Sequence, residues 1–320
     1  MEKMKSSSLT MLRIAMGVAL ISGLFSWIGW SAILAAIQTF NPIYLIPATI
    51  FFLISLVIAT YNIKLLTDPF QKIAFGKLWK YTMLAWSIGS FIPGKLGEFS
   101  LVWLLRKEGI PTGKGTAITI MDKIITAGSL ASLAIIGFFL YFEREQAVLV
   151  LGTLFIGGLA GIFAFFTNFG RKILRLFIPD RFLALFTGFG KALTSYLVDH
   201  PLRLFTNIVM TYIKWLISAF FLLMIFYGFD VHPPILTVGI INATGIIISF
   251  IPLTIAGLGF REAGIVWMFS LQGISSTTTA SVMLLWLVIA YTFVGFFLAL
   301  YFEKGMLKRP REANSLGDKA

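Results

Sequence analysis

Apolar residues run along this chain in long blocks. Nearly continuous apolar segments fall at roughly 14–37, 43–66, 115–142, 147–168, 204–228 and 276–302. Each is about as long as the ~20 residues an α-helix needs to cross the hydrocarbon core of a bilayer. Six full crossings are therefore expected. Two further apolar regions, roughly 74–105 and 234–270, are too long for one crossing, and Pro and Gly interrupt each near its middle. Non-helical backbone at membrane depth is tolerated only where protein or a water-filled cavity surrounds it. Each region is thus either a re-entrant hairpin of two half-helices or a pair of full helices, and the short limbs favour the hairpin.

Basic residues follow this pattern. With both broken regions returning to their side of entry, 21 of the 26 lysines and arginines fall in loops on one side. The opposite side keeps only Arg144, between Glu143 and Glu145. The positive-inside rule makes the basic side cytoplasmic, so both termini are expected there, in the cytoplasmic (inner) membrane. The two halves then read helix, helix, hairpin, helix in opposite orientations. "SFIP" occurs at Ser90 and again at Ser249, 159 residues apart. The expectation is an all-α polytopic membrane protein built as an inverted repeat, each half holding three transmembrane helices plus one broken or re-entrant helical hairpin. Such repeats with broken helices at their interface are a common transporter architecture. One transmembrane transport domain is expected over residues 1–302, with repeat 1 at about 10–142 and repeat 2 at about 147–302. An amphipathic, basic linker at about 171–200 suits the membrane surface, and residues 303–320 form a basic cytoplasmic tail.

Composition agrees: 58% of residues are hydrophobic and 12% charged, and mean hydropathy is +0.90. A soluble domain carries about 25% charged residues. There is no cysteine, which removes disulfides, thiolate metal sites and cysteine nucleophiles. The two histidines, His200 and His232, fall in expected loops and leave little room for a histidine metal cluster or catalytic dyad. The net charge of +12 belongs to those loops, so nucleic acid is not the expected partner. A cleaved signal peptide is the rival reading of the start, but the apolar segment from Ile14 is longer than a usual signal core.

Seven ionisable residues remain inside apolar segments: Lys95, Glu98, Asp122, Lys123, Lys214, Arg261 and Glu262. Such groups are costly in a membrane and point to function. They sum to one net positive charge, which an anion entering the set would balance. The breaks add to this. New half-helices after Pro93-Gly94 and after Gly257-Leu258-Gly259 would aim free N–H groups inwards, and helix N-termini bind anions. Gly94, Gly97, Gly257 and Gly259 would let backbone approach a ligand closely. Against this, Glu98 and Glu262 suit first helical turns anyway, Lys95 and Glu98 are spaced to pair on one helix face, and Lys214 has a stem long enough to snorkel. Tryptophans such as Trp86, Trp103, Trp215, Trp267 and Trp286 more often anchor or pack than bind ligand.

"SFIPGKLGEF", then "RKEGI" and "ITIMDKII", then "IPLTIAGLGFREAG" resemble the membrane domain of lysylphosphatidylglycerol synthases, also called the flippase-like or UPF0104 family. The resemblance runs from the first helix to about Phe302. Its second motif, Pro252 to Glu262, is the more specific. Family members often carry Arg where Lys95 stands and Glu-Arg where Asp122-Lys123 stands. A further Arg that often follows the Gly-Glu is replaced here by Phe99, Ser100 and Leu101. The resemblance implies translocation of a lipid between leaflets: a phospholipid or a polyprenyl-phosphate-linked glycolipid with an anionic headgroup. Only residues 303–320 follow the last expected helix, so the stand-alone form without the synthase domain is expected. No enzyme activity, cofactor or metal is expected; proton or ion coupling would fit, since no nucleotide-binding loop is present. The alternatives are a secondary transporter of a small anion or solute, and a membrane enzyme that modifies lipids using Glu98, Asp122 and Glu262 as acid and base.

Overall fold

The computed structural model describes residues 2–141, 198–250 and 257–303, with positions 145, 194, 196 and 254 besides. The crossing expected at 147–168, most of the linker expected at 171–200 and the tail after Glu303 lie outside the described residues. Every regular element among the described residues is helical: α1 (Glu2–Ile28), α2 (Trp30–Gln38), α3 (Leu45–Thr67), α4 (Phe75–Gly89), a 3-10 helix (Pro93–Phe99), α5 (Ser100–Arg106), α6 (Thr112–Tyr141), α7 (Pro201–Gly228), α8 (Ile235–Phe250), α9 (Phe260–Leu271) and α10 (Ser276–Glu303). Four spans are long and apolar enough to cross a membrane: Pro42–Thr67, Thr112–Gly137, Pro201–Gly228 and Ser276–Tyr301. They coincide with four of the six expected crossings, and the chain is a multi-pass membrane protein.

The first expected crossing needs correction. Residues 14–37 do not form one straight helix; α1 and α2 meet at Gly29 with a bend of 76°. Gly29 sits at φ 101°, a conformation closed to most side chains, and it starts α2 without a side-chain cap. A hydropathy average runs over a single glycine without registering it.

The core is the antiparallel pair α3 and α7. Phe51 stacks on Phe220 with ring centres 5.4 Å apart, and Phe52 meets Phe221 at 5.2 Å. Deeper in the pair, buried Asn207 donates Nδ2–H to the Asn62 carbonyl at 2.8 Å, and Asn62 Nδ2 donates to Thr211 Oγ1 at 3.0 Å. Such bonds matter in lipid, where no water replaces them. Each end of the pair is tied. At one end Asp68 holds Lys64 at 2.9 Å and Arg203 at 3.5 Å, and the Tyr196 hydroxyl donates to the Leu66 carbonyl. At the other, Asn41 N–H donates to the Gly228 carbonyl at 2.8 Å, and Phe40 packs on Phe229 at 4.9 Å.

Both broken regions fold back on themselves. Helix α4 has 15 residues, roughly 22 Å at 1.5 Å per residue, well short of the ~30 Å core. Lys77 near its start lies 2.7 Å from Glu108, just past the end of α5, and the Tyr81 hydroxyl donates to Glu108 Oε1 at 2.5 Å. The entry and exit of this hairpin are therefore side by side. Beyond them Gly109 abuts Gln71, and Lys114 lies 5.0 Å over the Phe70 ring. Helices α8 and α9 repeat the arrangement: a Cβ on Gly245 would come 2.6 Å from Ile265 Cδ1, and one on Gly264 2.8 Å from Ile248 Cδ1. Glycines let these limbs lie in close contact.

Burial alone would raise the Glu108 carboxyl, but the Lys77 and Tyr81 hydrogen bonds outweigh it and hold it below the usual carboxylate range. A depressed folded value means stability present above the unfolded value of ~4.3 and lost as pH falls through the folded one. Glu108→Gln should therefore lower stability in detergent at pH 7 by about 1 kcal/mol, the order expected for hydrogen bonds to a partly exposed charge. Thermal unfolding should show the gap between variant and wild type closing below about pH 4. A constant gap across pH 3–7 would refute the latch.

Candidate functional site

The two re-entrant tips and the helices around them enclose a cavity of about 220 Å³. All seven ionisable residues found in apolar segments line it: Lys95 and Glu98 from the 3-10 helix, Asp122 and Lys123 from α6, Lys214 from α7, and Arg261 and Glu262 from α9. The first tip places its two charges by turning tightly. Ile92 leads into the 3-10 helix at extended φ and ψ, and Pro93 begins it. Lys95 follows at φ 55°, one of two non-glycine residues with positive φ among those described. That conformation costs roughly 1–2 kcal/mol for an L-residue. Gly89 of α4 makes room for Glu98: a Cβ there would lie 2.5 Å from Glu98 Cγ.

Two ionic groups stand in the cavity wall. Lys123 Nζ pairs with Glu98 Oε2 and, at 3.0 Å, with Asp122 Oδ2. Arg261 Nη2 pairs with Glu262 Oε1 at 3.0 Å, and its guanidinium lies 3.6 Å from the centre of the Trp286 ring. Glu262 Oε2 accepts the Gly259 N–H at 2.7 Å and so satisfies one free N–H at the start of α9. Arg261 is 9% exposed and its Nε–H is buried with no acceptor among the described residues. Lys214 Nζ lies 4.2 Å from the Trp215 ring centre, with no carboxylate within 4.0 Å among the described residues. The Trp215 indole is held in turn by its Nε1–H donating to Ser129 Oγ at 3.1 Å. The formal charge of the wall is +1.

Two sequence expectations change physically. The first break does not present an α-helix N-terminus; it continues as a 3-10 helix into α5, which has only seven residues. The N-terminus of α9 is already occupied by Glu262. Attraction for an anion therefore rests on side chains. The glycines are the second change. Gly97 is pressed against α4, where a Cβ would meet the Ile88 carbonyl oxygen at 2.6 Å. Gly257 (φ 77°) lies against Ser249 of α8, and Gly259 (φ 87°) against Leu20 of α1. They let helix approach helix. Gly94 lies in the 3-10 helix beside Lys95. Three tryptophans, Trp86, Trp215 and Trp286, line the cavity, as do hydroxyls such as Thr82, Thr126 and Tyr291. Sequence reasoning put the tryptophans with anchors; adjacency of Trp215 to Lys214 was the available signal. Trp267 is half exposed. Among the described residues no group of three or more His, Cys, Asp or Glu could hold a metal ion.

The family model described as the lysylphosphatidylglycerol synthase TM region matches residues 14–297. The chain belongs to that family. It is 25% identical to a UPF0104 membrane protein of Methanocaldococcus jannaschii over 233 residues, covering 70% of this chain and 97% of that one. It is 24% identical to a UPF0104 membrane protein of Methanothermobacter thermautotrophicus, covering 95% of each. Both matched segments of the sequence resemblance, around Lys95 and around Arg261, fall within the family match.

The two acids differ in their commitments, and stability should report it. Glu262→Ala strands a buried guanidinium and an uncapped N–H, and should cost about 3–5 kcal/mol. Glu98→Ala leaves Lys123 its Asp122 partner and should cost much less, about 1 kcal/mol. Detergent unfolding of the two variants checks the order; equal losses would contradict it. Gly259→Ala should also destabilise, by about 2 kcal/mol or more, since its Cβ would fall 2.6 Å from Leu20 Cβ. Adding Leu20→Ala should restore nothing, because alanine keeps the Cβ that clashes and the strained φ remains.

Proposed function

We propose that this protein moves an anionic lipid, a phospholipid or a polyprenyl-phosphate-linked lipid, between the leaflets of the cytoplasmic membrane. The observation that carries this reading is one cavity whose wall gathers seven ionisable residues from the apolar segments, with net charge +1. Anion binding offsets that charge, and a charge-assisted bond to phosphate is among the stronger contacts a side chain makes. Lys95, Lys214 and the open part of Arg261 are the phosphate holders; Lys123, already between two carboxylates, assists. Thr82, Thr126 and Tyr291 offer hydroxyls to the rest of the headgroup.

Size supports a headgroup. A cavity of about 220 Å³ holds roughly seven waters at ~30 Å³ each. It is below the ~300–1,000 Å³ of pockets that enclose a whole drug-sized ligand. The apolar tails would stay in the bilayer. An inverted repeat underlies the movement in this reading. The recurrence of SFIP at Ser90 and Ser249, and a broken apolar region in each half, support it. The basic ends of the helices would face the cytoplasm, with both termini. No residue is assigned a catalytic role.

The full chain in phosphatidylcholine vesicles should accelerate leaflet exchange of fluorescent phosphatidylglycerol or of a labelled polyprenyl phosphate. Lys214→Ala and Lys95→Ala should each slow it about ten-fold, the loss of roughly 1.4 kcal/mol of phosphate binding. Flux of inorganic phosphate or another soluble anion, with no exchange of either lipid, would replace the lipid reading with a small-anion transporter.

A further inference from the structure

Glu98 and Asp122 come from different elements and share one cation. Each commits one oxygen to Lys123 Nζ. The second oxygen of each, Glu98 Oε1 and Asp122 Oδ1, has no hydrogen-bond partner among the described residues. Glu262 is the contrast, with both oxygens engaged. The cavity wall thus holds one closed ion pair and one open group carrying a surplus negative charge. A single proton on either open oxygen neutralises the surplus and breaks no existing bond.

We infer that Glu98, Asp122 and Lys123 form a proton-exchange site whose loading is linked to occupation of the cavity by the anionic headgroup. This rests on the transport reading above. The other charged or titratable groups in the wall are Lys95 on the tip, Lys214 on α7, Arg261 and Glu262 on α9, and Tyr291 on α10; α3, α4, α5 and α8 contribute none. An arriving phosphate adds negative charge among these groups and favours proton uptake by the carboxylate pair, so lipid and proton travel together. The Arg261 Nε–H, buried with no acceptor among the described residues, is a second, independent mark that this wall takes an acceptor. The proton comes from water on the side where the cavity is open, rests on Glu98 Oε1 or Asp122 Oδ1, and returns to water on the other side.

The placement of the group supplies the switch. Glu98 rides on a re-entrant tip, whereas Asp122 and Lys123 sit on the spanning helix α6. A small shift of the tip along α6 parts Glu98 from Lys123 while the Asp122–Lys123 neighbours move together. Linkage requires only that headgroup and proton each bind the same state better.

The test uses the full chain in vesicles of phosphatidylcholine with fluorescent phosphatidylglycerol or a labelled polyprenyl phosphate, and a pH dye inside. Imposing an acid-outside gradient of two pH units should change the net movement of the accelerated lipid at least ten-fold. A protonophore should abolish the change, and lipid-dependent acidification of the lumen should accompany it. Glu98→Gln and Asp122→Asn should remove both the gradient response and the acidification. Intact folding of each is checked by unfolding in detergent. Lipid exchange that is the same with and without the gradient overturns the coupling and leaves the transport reading standing. Exchange of neither lipid overturns both. A gradient response that survives in both variants overturns this assignment of the proton site.

Discussion

A backbone that stops being helical inside a bilayer must find its hydrogen bonds within the protein, because lipid offers none. This chain stops twice, and much of its architecture answers that requirement. At the first break the 3-10 helix keeps the chain bonded to itself, with Lys95 N–H donating to the Ile92 carbonyl at 3.1 Å. At the second, Glu262 reaches back to the Gly259 N–H. Glycines 97, 257 and 259 then let each tip lie close against its neighbours. The same devices fix where the charges go. A tip held this tightly sets the positions of Lys95, Glu98, Arg261 and Glu262 to within the play of their side chains, which is what a binding wall requires.

The repeat we propose would give a symmetric scaffold an asymmetric wall. At the 159-residue offset, Lys95 matches Thr254, Glu98 matches Gly257, and Lys214 matches Ser55. Arg261 and Glu262 match Val102 and Trp103, and Asp122 matches Ser281. No ionisable wall residue has a charged counterpart. The scaffold can therefore rock between related conformations while the charges stay with particular elements: one set on the first tip and α6, the other on α9. In such a device each half presents different chemistry to the same headgroup, and the conformations differ in which set faces which leaflet.

Hydropathy made the crossings legible because each is a block of uniform character about as long as a bilayer is thick. Four of them appear as single spans near their expected limits. Gly29 escaped because one glycine changes direction without changing hydropathy. The two broken regions were legible because Pro93 and the 257–259 stretch interrupt blocks too long to be single helices. That all seven charges within apolar segments share one cavity was suggested by their cost alone. Their partnerships were not, because pairing depends on register between elements far apart in sequence. Lys95 and Glu98 are three apart, but that Glu98 also pairs with Lys123, 25 residues on, could not be read from spacing. Glu108 was invisible as a latch for the same reason: it reads as a loop charge until α4 brings Lys77 and Tyr81 beside it.

The difference between the acids decides what the wall can do. A carboxylate with both oxygens engaged and an arginine stacked on an indole is part of the frame; moving it costs the cap on α9 and strands a cation. A carboxylate with one oxygen bound to an ammonium that a second carboxylate also holds can change partners for far less. The transport we propose would use both kinds in one wall: a fixed cation to hold the phosphate in register, and a labile group whose charge state would change once per cycle. In the proposed cycle Arg261 with Glu262 would take the first task on the second tip, and Lys123 with Glu98 and Asp122 the second, between the first tip and α6.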